Sequence, residues 1–593
     1  MVTTHSRRDA LRLMAVPLAS LTLAGRPGLL LARSEPGTAR RWWKEAVVYQ
    51  VYPRSFADSN GDGIGDLPGI ASKLDYIAAL AVDVVWLCPH YPSPNVDNGY
   101  DVSDYRAVSP LFGTLADFDA LVAGLKARGI RLIVDLVVNH TSDQHPWFKR
   151  SRSARDAPER DFYIWRDGRD GGPPNNYPSL FGGSAWTRDD ATGQYYLHLF
   201  APQQPDLNWD EPRVRAEVRD IMRFWLDRGV SGFRLDAVTF ISKRPGLPDL
   251  SPDELRDPTR VYADGPRRDA YLREMNRDVT GPYGAMTVGE AGGVSAQGAR
   301  ALTDARRHEL DMVFTFALVG LGRDGEAPSA LLPRMRRIIA ERDRAAGAEG
   351  WVASYLENHD QPRSLSHFGD PDPAWRTASA KVLGTLLLTQ RATPFVYQGE
   401  ELGMANSPFT SIDQFADVAA KREWREKVEG GQVPAAVELD KLRRTGRDNA
   451  RTPMQWTAGP QAGFTAGTPW LPVNPDARAV NAAAEEADPN SVLSFYRRLI
   501  ALRKRLPALV YGAYRDIDPD HPAVFAYTRT LPGAACLVLM YFGRDAVVYR
   551  LPPGVLAGAT LLSSEAGAAH PAGASEVALA GWGSLVLSTA AEP

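Results

Sequence analysis

Between residue 42 and about residue 400, short apolar, strand-like runs alternate with helical patterns, and this alternation restricts the fold more than any other feature of the chain. The runs cover 46–51, 82–87, 131–138, 232–235, 286–288, 312–316, 351–356 and 393–397. Strands that alternate with helices build a parallel sheet, because a parallel partner is reached only through a crossover. Eight such units predict an α/β fold, a (β/α)8 (TIM) barrel. Such barrels place their chemistry at the C-terminal ends of the strands.

The gap after the third run is long. Residues 142–207 are rich in Asp, Arg, Gly, Pro and Trp and show little periodicity. A connection of that length is normally functional, and it reads as an inserted subdomain (domain B) over one rim of the barrel. The barrel then occupies 42–141 and 208–507. Within it, 406–470 is an irregular excursion after the eighth strand, and 491–506 has a helical pattern. Runs at 523–528, 535–541, 546–551 and 584–587 predict a C-terminal antiparallel β domain, a β-sandwich, over 508–593.

A formal net charge of -3 offers no electrostatic footprint for nucleic acid or an anionic membrane surface. Cys88 and Cys536 are the two cysteines and fall in different predicted domains, so they read as unpaired thiols. At the N-terminus, Ser6-Arg7-Arg8-Asp9-Ala10-Leu11-Arg12 precedes a mostly apolar run over 13–32. This resembles a twin-arginine export signal over 1–33. Arg26 and Pro27 interrupt the run, so it is a poor membrane span. The expected mature protein has no membrane span. It starts between Ala32 and Trp42, is periplasmic or extracellular, and is a monomer or small homo-oligomer.

Five segments fall where a barrel enzyme places its site. Asp135-Leu136-Val137-Val138-Asn139-His140 closes the third strand, and Gly232-Phe233-Arg234-Leu235-Asp236-Ala237 the fourth. Val288-Gly289-Glu290 closes the fifth, Glu357-Asn358-His359-Asp360 the seventh, and Gln204-Pro205-Asp206-Leu207-Asn208 ends the insertion. Arg234 and Asp236 share one face of their strand by its period of two. Asp236, Glu290 and Asp360 thus converge on one rim with two histidines and an arginine. Paired carboxylates around a glycosidic bond are the general solution to its hydrolysis.

This set, in this order, resembles glycoside hydrolase family 13, the α-amylase family, from Trp42 to near the C-terminus. Asp97-Asn98-Gly99-Tyr100-Asp101, Phe181-Gly182-Gly183-Ser184-Ala185-Trp186 and Arg451-Thr452-Pro453-Met454-Gln455-Trp456 narrow the likeness. They resemble the branch with oligo-1,6-glucosidase, α-glucosidase, sucrose isomerase and related transglucosidases. The resemblance implies Asp236 as nucleophile, Glu290 as general acid/base and Asp360 as the third carboxylate. It further implies that Arg234 orients Asp236 and that His140 and His359 hydrogen-bond glucose hydroxyls. Asp97 with Arg451, or with Arg447 in its place, would close the pocket beyond the non-reducing glucose. Tyr100 would stack under that sugar, and Phe181, Phe200 and Gln204 would line the entrance. Asp135 and Asn139 read as structural supports.

Asp58-Ser59-Asn60-Gly61-Asp62-Gly63-Ile64-Gly65-Asp66 alternates oxygen ligands like the start of an EF-hand, but position 12 is Gly69 instead of Glu. By resemblance, Asp58, Asn60, Asp62, Asp66 and the Ile64 carbonyl hold one structural Ca2+ (or Mg2+), and no organic cofactor is expected. Ala237 follows the nucleophile; in the resembled branch, Val there accompanies α-1,6 preference and Ala or Thr α-1,4 cleavage. The expected partner is a small oligosaccharide or disaccharide. The expected activity is a retaining, exo-acting α-glucosidase preferring α-1,4 maltose-type substrates. The alternative is a transglucosidase or sucrose isomerase with the same chemistry.

Overall fold

The computed structural model describes residues 40–589, apart from 324, 556, 566, 568 and 569. The export-signal segment 1–33 lies outside the described residues. Eight parallel strands are present: β1 (Val48–Val51), β2 (Val84–Leu87), β3 (Arg131–Val137), β4 (Gly232–Asp236), β5 (Met286–Glu290), β6 (Met312–Phe314), β7 (Ala353–Ser354) and β8 (Thr393–Tyr397). Each strand pairs with its successor from β1 to β6, β7 pairs with β8, and β8 returns to β1. Between β6 and β7 the ring is closed by side chains. Tyr355 Oη donates to the Thr315 carbonyl over 3.1 Å, and the Tyr355 ring meets Phe314 edge-on at 5.0 Å.

The period of two divides every strand between two cores. Val48, Val84, Trp86, Ile133, Met286, Val288, Met312, Phe314, Phe395 and Tyr397 point inward and fill the barrel. Phe314 packs on Trp86 at 5.5 Å and on Phe395 at 4.7 Å, so the interior is a packed core and not a pore. Tyr49, Val85, Leu132, Val134, Phe233 and Leu235 point outward against the helices. The helix Pro212–Asp227 shows how such a face is built. Pro212 opens it, the Glu211 side chain caps it, and Val214, Val218, Ile221, Met222, Trp225 and Leu226 form its buried stripe. Truncating Trp225 there to Ala removes a fully buried indole, a loss of about 3–5 kcal/mol.

The strands stop short of several predicted ends. The run 351–356 forms strand only at β7, although the Val352 carbonyl accepts from Thr393 N–H at 3.0 Å, because Trp351 and Leu356 are buried by packing. In the insertion, Tyr195–Leu197 pairs on one side with Trp165–Arg166 and on the other with Trp186–Arg188. The isolated bridge His140–Asp206 ties its end to the barrel rim, and Tyr163–Leu207 closes it on itself.

After the helix Val492–Arg505, the chain forms a five-stranded antiparallel sheet in the order Ala513–Asp516, Val524–Leu531, Ala534–Tyr541, Ser584–Thr589, Thr560–Ser563. A two-stranded sheet, Val547–Arg550 with Glu576–Leu579, packs on it through Tyr549, Leu551, Val577 and Leu579. Cys88 and Cys536 are both unpaired and buried. Among the described residues no helix is long and apolar enough to cross a membrane.

Candidate active site

The C-terminal ends of β3, β4 and β5 meet at one guanidinium. Arg234 Nη1 donates to Asp236 Oδ1 over 2.6 Å and to Asp135 Oδ1 over 2.7 Å, while Nη2 stands 3.0 Å from Glu290 Oε2. Three carboxyl groups thus share one cation that is only 2% exposed. One positive charge cannot hold three buried negative charges, and burial shifts the carboxyls upward. Burial pushes Asp236 to about 6, against Arg234, with the Asp135 charge adding to the rise. Burial pushes Glu290 to about 7, against Arg234, with Asp236 and Asp360 adding to the rise. Asp236 and Glu290 thus sit on the two amino nitrogens of one guanidinium, Asp236 on Nη1 and Glu290 on Nη2.

A strained turn aims Glu290. Ala237 lies in the left-handed region, at φ 45° and ψ 29°, where non-glycine residues are uncommon. That turn sends its N–H to Glu290 Oε2 at 3.0 Å. A β-branched residue would fit this backbone worse than Ala.

Asp360 has the opposite electrostatics. It keeps 23% of its side-chain surface open, yet His359 Nε2 lies 2.9 Å from Oδ2 and Arg451 Nη2 donates to Oδ1 over 2.7 Å. Arg447 Nη1 adds a contact at 3.2 Å. Burial opposes ionisation, but His359, Arg447 and Arg451 outweigh it and hold Asp360 well below the usual carboxylate range.

The pocket wall follows. Asp97 faces Arg447 at 3.4 Å and accepts from Gln204 Nε2 at 3.2 Å. Of the two candidate arginines, Arg447 is therefore the partner of Asp97. Arg451 lies deeper, donating through Nε to the His359 carbonyl over 2.8 Å as well as to Asp360. Gln204 Nε2 also stands 3.1 Å from His140 Nε2, and the His140 ring is 5.0 Å from Phe200. Phe200 meets Phe181 at 5.5 Å, and the Arg447 guanidinium lies 5.5 Å over Phe181. Tyr100 stacks on His359 at 5.3 Å and 5°. The structure thus gathers all thirteen non-metal candidates around one rim.

A family model for the alpha-amylase catalytic domain matches residues 50–512. The chain belongs to the α-amylase family, glycoside hydrolase family 13. It is a glycoside hydrolase. An oligo-1,6-glucosidase of Parageobacillus thermoglucosidasius is 50% identical over 525 residues, covering 87% of this chain and 93% of that protein. The trehalulose synthase of Pseudomonas mesoacidophila superposes with a TM-score of 0.90 at 50% identity, over 93% of this chain and 100% of that one. An isomaltulose synthase variant from Erwinia rhapontici, in complex with its natural substrate sucrose, superposes with a TM-score of 0.90 at 50% identity, over 93% and 99%.

Three residues that the motifs did not single out also contact the site residues of this family member. Asp417 accepts from Arg447 Nε at 3.0 Å and anchors the guanidinium that faces Asp97. Lys243 bridges Asp206 at 2.6 Å and Asn139 at 2.9 Å, joining the insertion to β3. Gln50 of β1 lies 2.8 Å below His359. Asp417 sits in the irregular 406–470 stretch, where no pattern marks it. Lys243 carried a signal, a lysine in the apolar segment directly after β4. Asp135, expected as a support, is a direct partner of Arg234.

The predicted metal loop lies apart from these carboxyls. Asp58 accepts from the N–H groups of Asn60, Gly61 and Gly63 at 2.9, 2.8 and 2.8 Å. Burial opposes its ionisation, but Thr465 and these N–H groups outweigh it and lower its pKa. Asn60 and Asp62 accept in the same way from the N–H groups of Asp62 and Ile64. Asp66 caps the helix Leu67–Ala71 through Gly69 at 2.6 Å. Gly63 is needed: a Cβ there would lie 1.9 Å from the Thr468 carbonyl. Among the described residues no three acidic, His or Cys side chains form a metal cluster by themselves. The Asn60 amide and Ile64 carbonyl would complete an all-oxygen donor set, which suits a hard divalent cation.

Proposed function

We propose that the protein is a retaining, exo-acting α-glucosidase that releases glucose from the non-reducing end of short α-glucosides. The observation that carries this reading is the Arg234 guanidinium that Asp236 meets at 2.6 Å and Glu290 at 3.0 Å. An inverting pair stands roughly 6.5–9.5 Å apart to admit a water, whereas a retaining pair is roughly 5–5.5 Å apart. Two carboxyls held on one guanidinium favour the closer, retaining spacing.

In the first step, Asp236 attacks the anomeric carbon while Glu290 gives its proton to the glycosidic oxygen, so the aglycone leaves neutral and a glucosyl ester forms. In the second step, Glu290, now ionised, takes a proton from water, and the hydroxide oxygen displaces Asp236. Ionised Asp360 binds sugar hydroxyls, together with His140 and His359. Arg447 and Asp97 block the far end of the pocket, which favours chain ends over internal bonds. Tyr100, Phe181 and Phe200 offer aromatic faces to the sugar. A divalent cation on Asp58, Asn60, Asp62, Ile64 and Asp66 would brace the loop after β1 and take no part in the chemistry. Ala237 supports α-1,4, maltose-type substrates. The motif Ser6–Arg12 supports export, which fractionation of cells expressing the full chain tests.

Asp236→Ala should abolish glucose release from maltose and leave the fold intact; undiminished release would sink the mechanism. A panel of maltose, isomaltose, sucrose and trehalose tests the linkage, with isomaltose the competitor that the oligo-1,6-glucosidase relative brings in.

The structural likeness to two sucrose-isomer synthases favours a second reading, in which a sugar and not water attacks the glucosyl ester. Incubation with concentrated sucrose decides it: monosaccharides alone support hydrolysis, and a sucrose isomer supports isomerisation.

A further inference from the structure

His359 is held from both edges of its ring. Nε2 stands 2.9 Å from Asp360 Oδ2 and 2.6 Å from Tyr100 Oη. Tyr100 spends its own proton on Asp135 Oδ2, at 3.1 Å, so its oxygen faces the imidazole as an acceptor. Both neighbours of Nε2 accept, and Nε2 must therefore carry a proton. Burial lowers the His359 pKa, against the raising effect of Asp360, which favours the neutral ring. A neutral imidazole has one N–H, which leaves Nδ1 as a lone pair. The group nearest Nδ1 is the side-chain amide of Gln50, at 2.8 Å, with Cys88 Sγ farther off at 3.9 Å. It must present its NH2, and its second N–H points at Cys88 Sγ over 3.1 Å.

Strand period explains the placement. Val48 and Gln50 face the barrel interior and Tyr49 and Val51 the helices. Gln50 is 1% exposed in an otherwise apolar, aromatic core. A buried amide there carries a desolvation cost that a Leu would avoid.

We propose that Gln50 is a positioning residue that holds His359 in its Nε2–H tautomer, and so sets the N–H donor that faces Asp360 and the bound sugar. Gln50 touches no reacting atom and acts only through His359. The inference rests on the glucosidase reading of Asp236, Glu290 and Asp360.

Two variants and one spectrum test it. Gln50→Leu removes the donor. Gln50→Glu keeps the shape and replaces the donor with an acceptor, which demands an N–H at Nδ1. The charged and titratable groups around the ring are Asp360, Arg234, Arg451, Tyr100, Cys88 and the stacked Tyr52. With a new carboxylate among them, His359 gains a proton and its pKa rises. 15N NMR of the full chain, histidine-labelled and assigned with His359→Asn, should show the Nε2–H tautomer at neutral pH. Gln50→Glu should show a ring protonated at Nδ1. Both variants should lose on the order of 10- to 100-fold in kcat, with KM moved less, and Gln50→Glu should shift the pH profile. A wild-type ring protonated at Nδ1, or variants with wild-type kcat and pH profile, would overturn the proposal. The NMR result does not depend on turnover, whereas failure to label Asp236 in the wild type would strike the glucosidase reading instead.

Discussion

Asp236 accepts a 2.6 Å hydrogen bond from Arg234, and only Leu235 separates them in the chain. The same guanidinium holds Asp135 and Glu290. Removing it leaves three buried carboxyls without their shared cation. Arg234→Leu should therefore destabilise the protein by about 3–5 kcal/mol, read as a lowered urea midpoint. A wild-type midpoint would contradict the shared-cation account.

The pH dependence of catalysis follows from the two shifted carboxyls. Asp236 must be ionised to attack, and burial places it near about 6, so kcat/KM falls as pH drops below that value. Glu290 must be protonated to act as acid, and burial places it near about 7, so kcat/KM falls as pH rises above it. A narrow bell with its maximum between the two limbs is expected, and both limbs belong to the coupled pair. Glu290→Gln, assayed on an activated aryl glucoside that needs no acid, should lose the alkaline limb. A retained limb would reassign the acid.

His90 sets an acid limit on stability. It is 0% exposed, neither ring nitrogen has a hydrogen-bond partner among the described residues, and burial pushes its pKa down to about 3. An unfolded histidine titrates near about 6.5. The folded value is the lower one, so this contribution to stability is present above about 6.5 and is lost as pH falls from there toward about 3. The loss reaches about 5 kcal/mol at most. His90→Leu should remove it, so the variant's advantage in unfolding free energy should grow as pH falls from 7 to 4. An advantage independent of pH would contradict the assignment.

Much of this architecture was legible in the chain, and the exceptions have physical causes. All eight barrel strands were found, because a strand buried on both faces reads as an apolar run. Their ends were misjudged where an apolar residue is buried by packing alone, as with Trp351 and Leu356. The strands Ala513–Asp516, Thr560–Ser563 and Glu576–Leu579 were missed. They are short, half exposed, and partly set in an Ala/Gly-rich stretch.

The site divides in the same way. Asp236 and Glu290 end β4 and β5 and Asp360 lies in the turn after β7, where topology converts sequence order into proximity. Arg447 could not be separated from Arg451, because the choice depends on Asp417 from a distant loop. Gln50 went unnoticed because one polar residue in an apolar strand carries no pattern, and only the 2.8 Å contact with His359 gives it meaning.

The loop from Asp58 to Asp66 gives a prediction that needs no substrate. If it holds one divalent cation, chelation should lower the melting temperature and added Ca2+ or Mg2+ should restore it. Ion at a hundredfold excess over its Kd adds about 2.7 kcal/mol. Asp58→Ala should melt at the chelated temperature and ignore added ion. A wild-type melting temperature unmoved by chelator, with no ion in elemental analysis, would contradict the site.

The central claim is that Asp236 becomes covalently glucosylated. An activated 2-fluoro-α-glucoside slows the second step and should accumulate the ester. Peptide mass spectrometry of the inactivated full chain should then find one fluoroglucosyl group on the peptide containing Asp236, and none in Asp236→Ala. Steady turnover of the same compound with no adduct, or an adduct on Glu290 or Asp360, would contradict the mechanism.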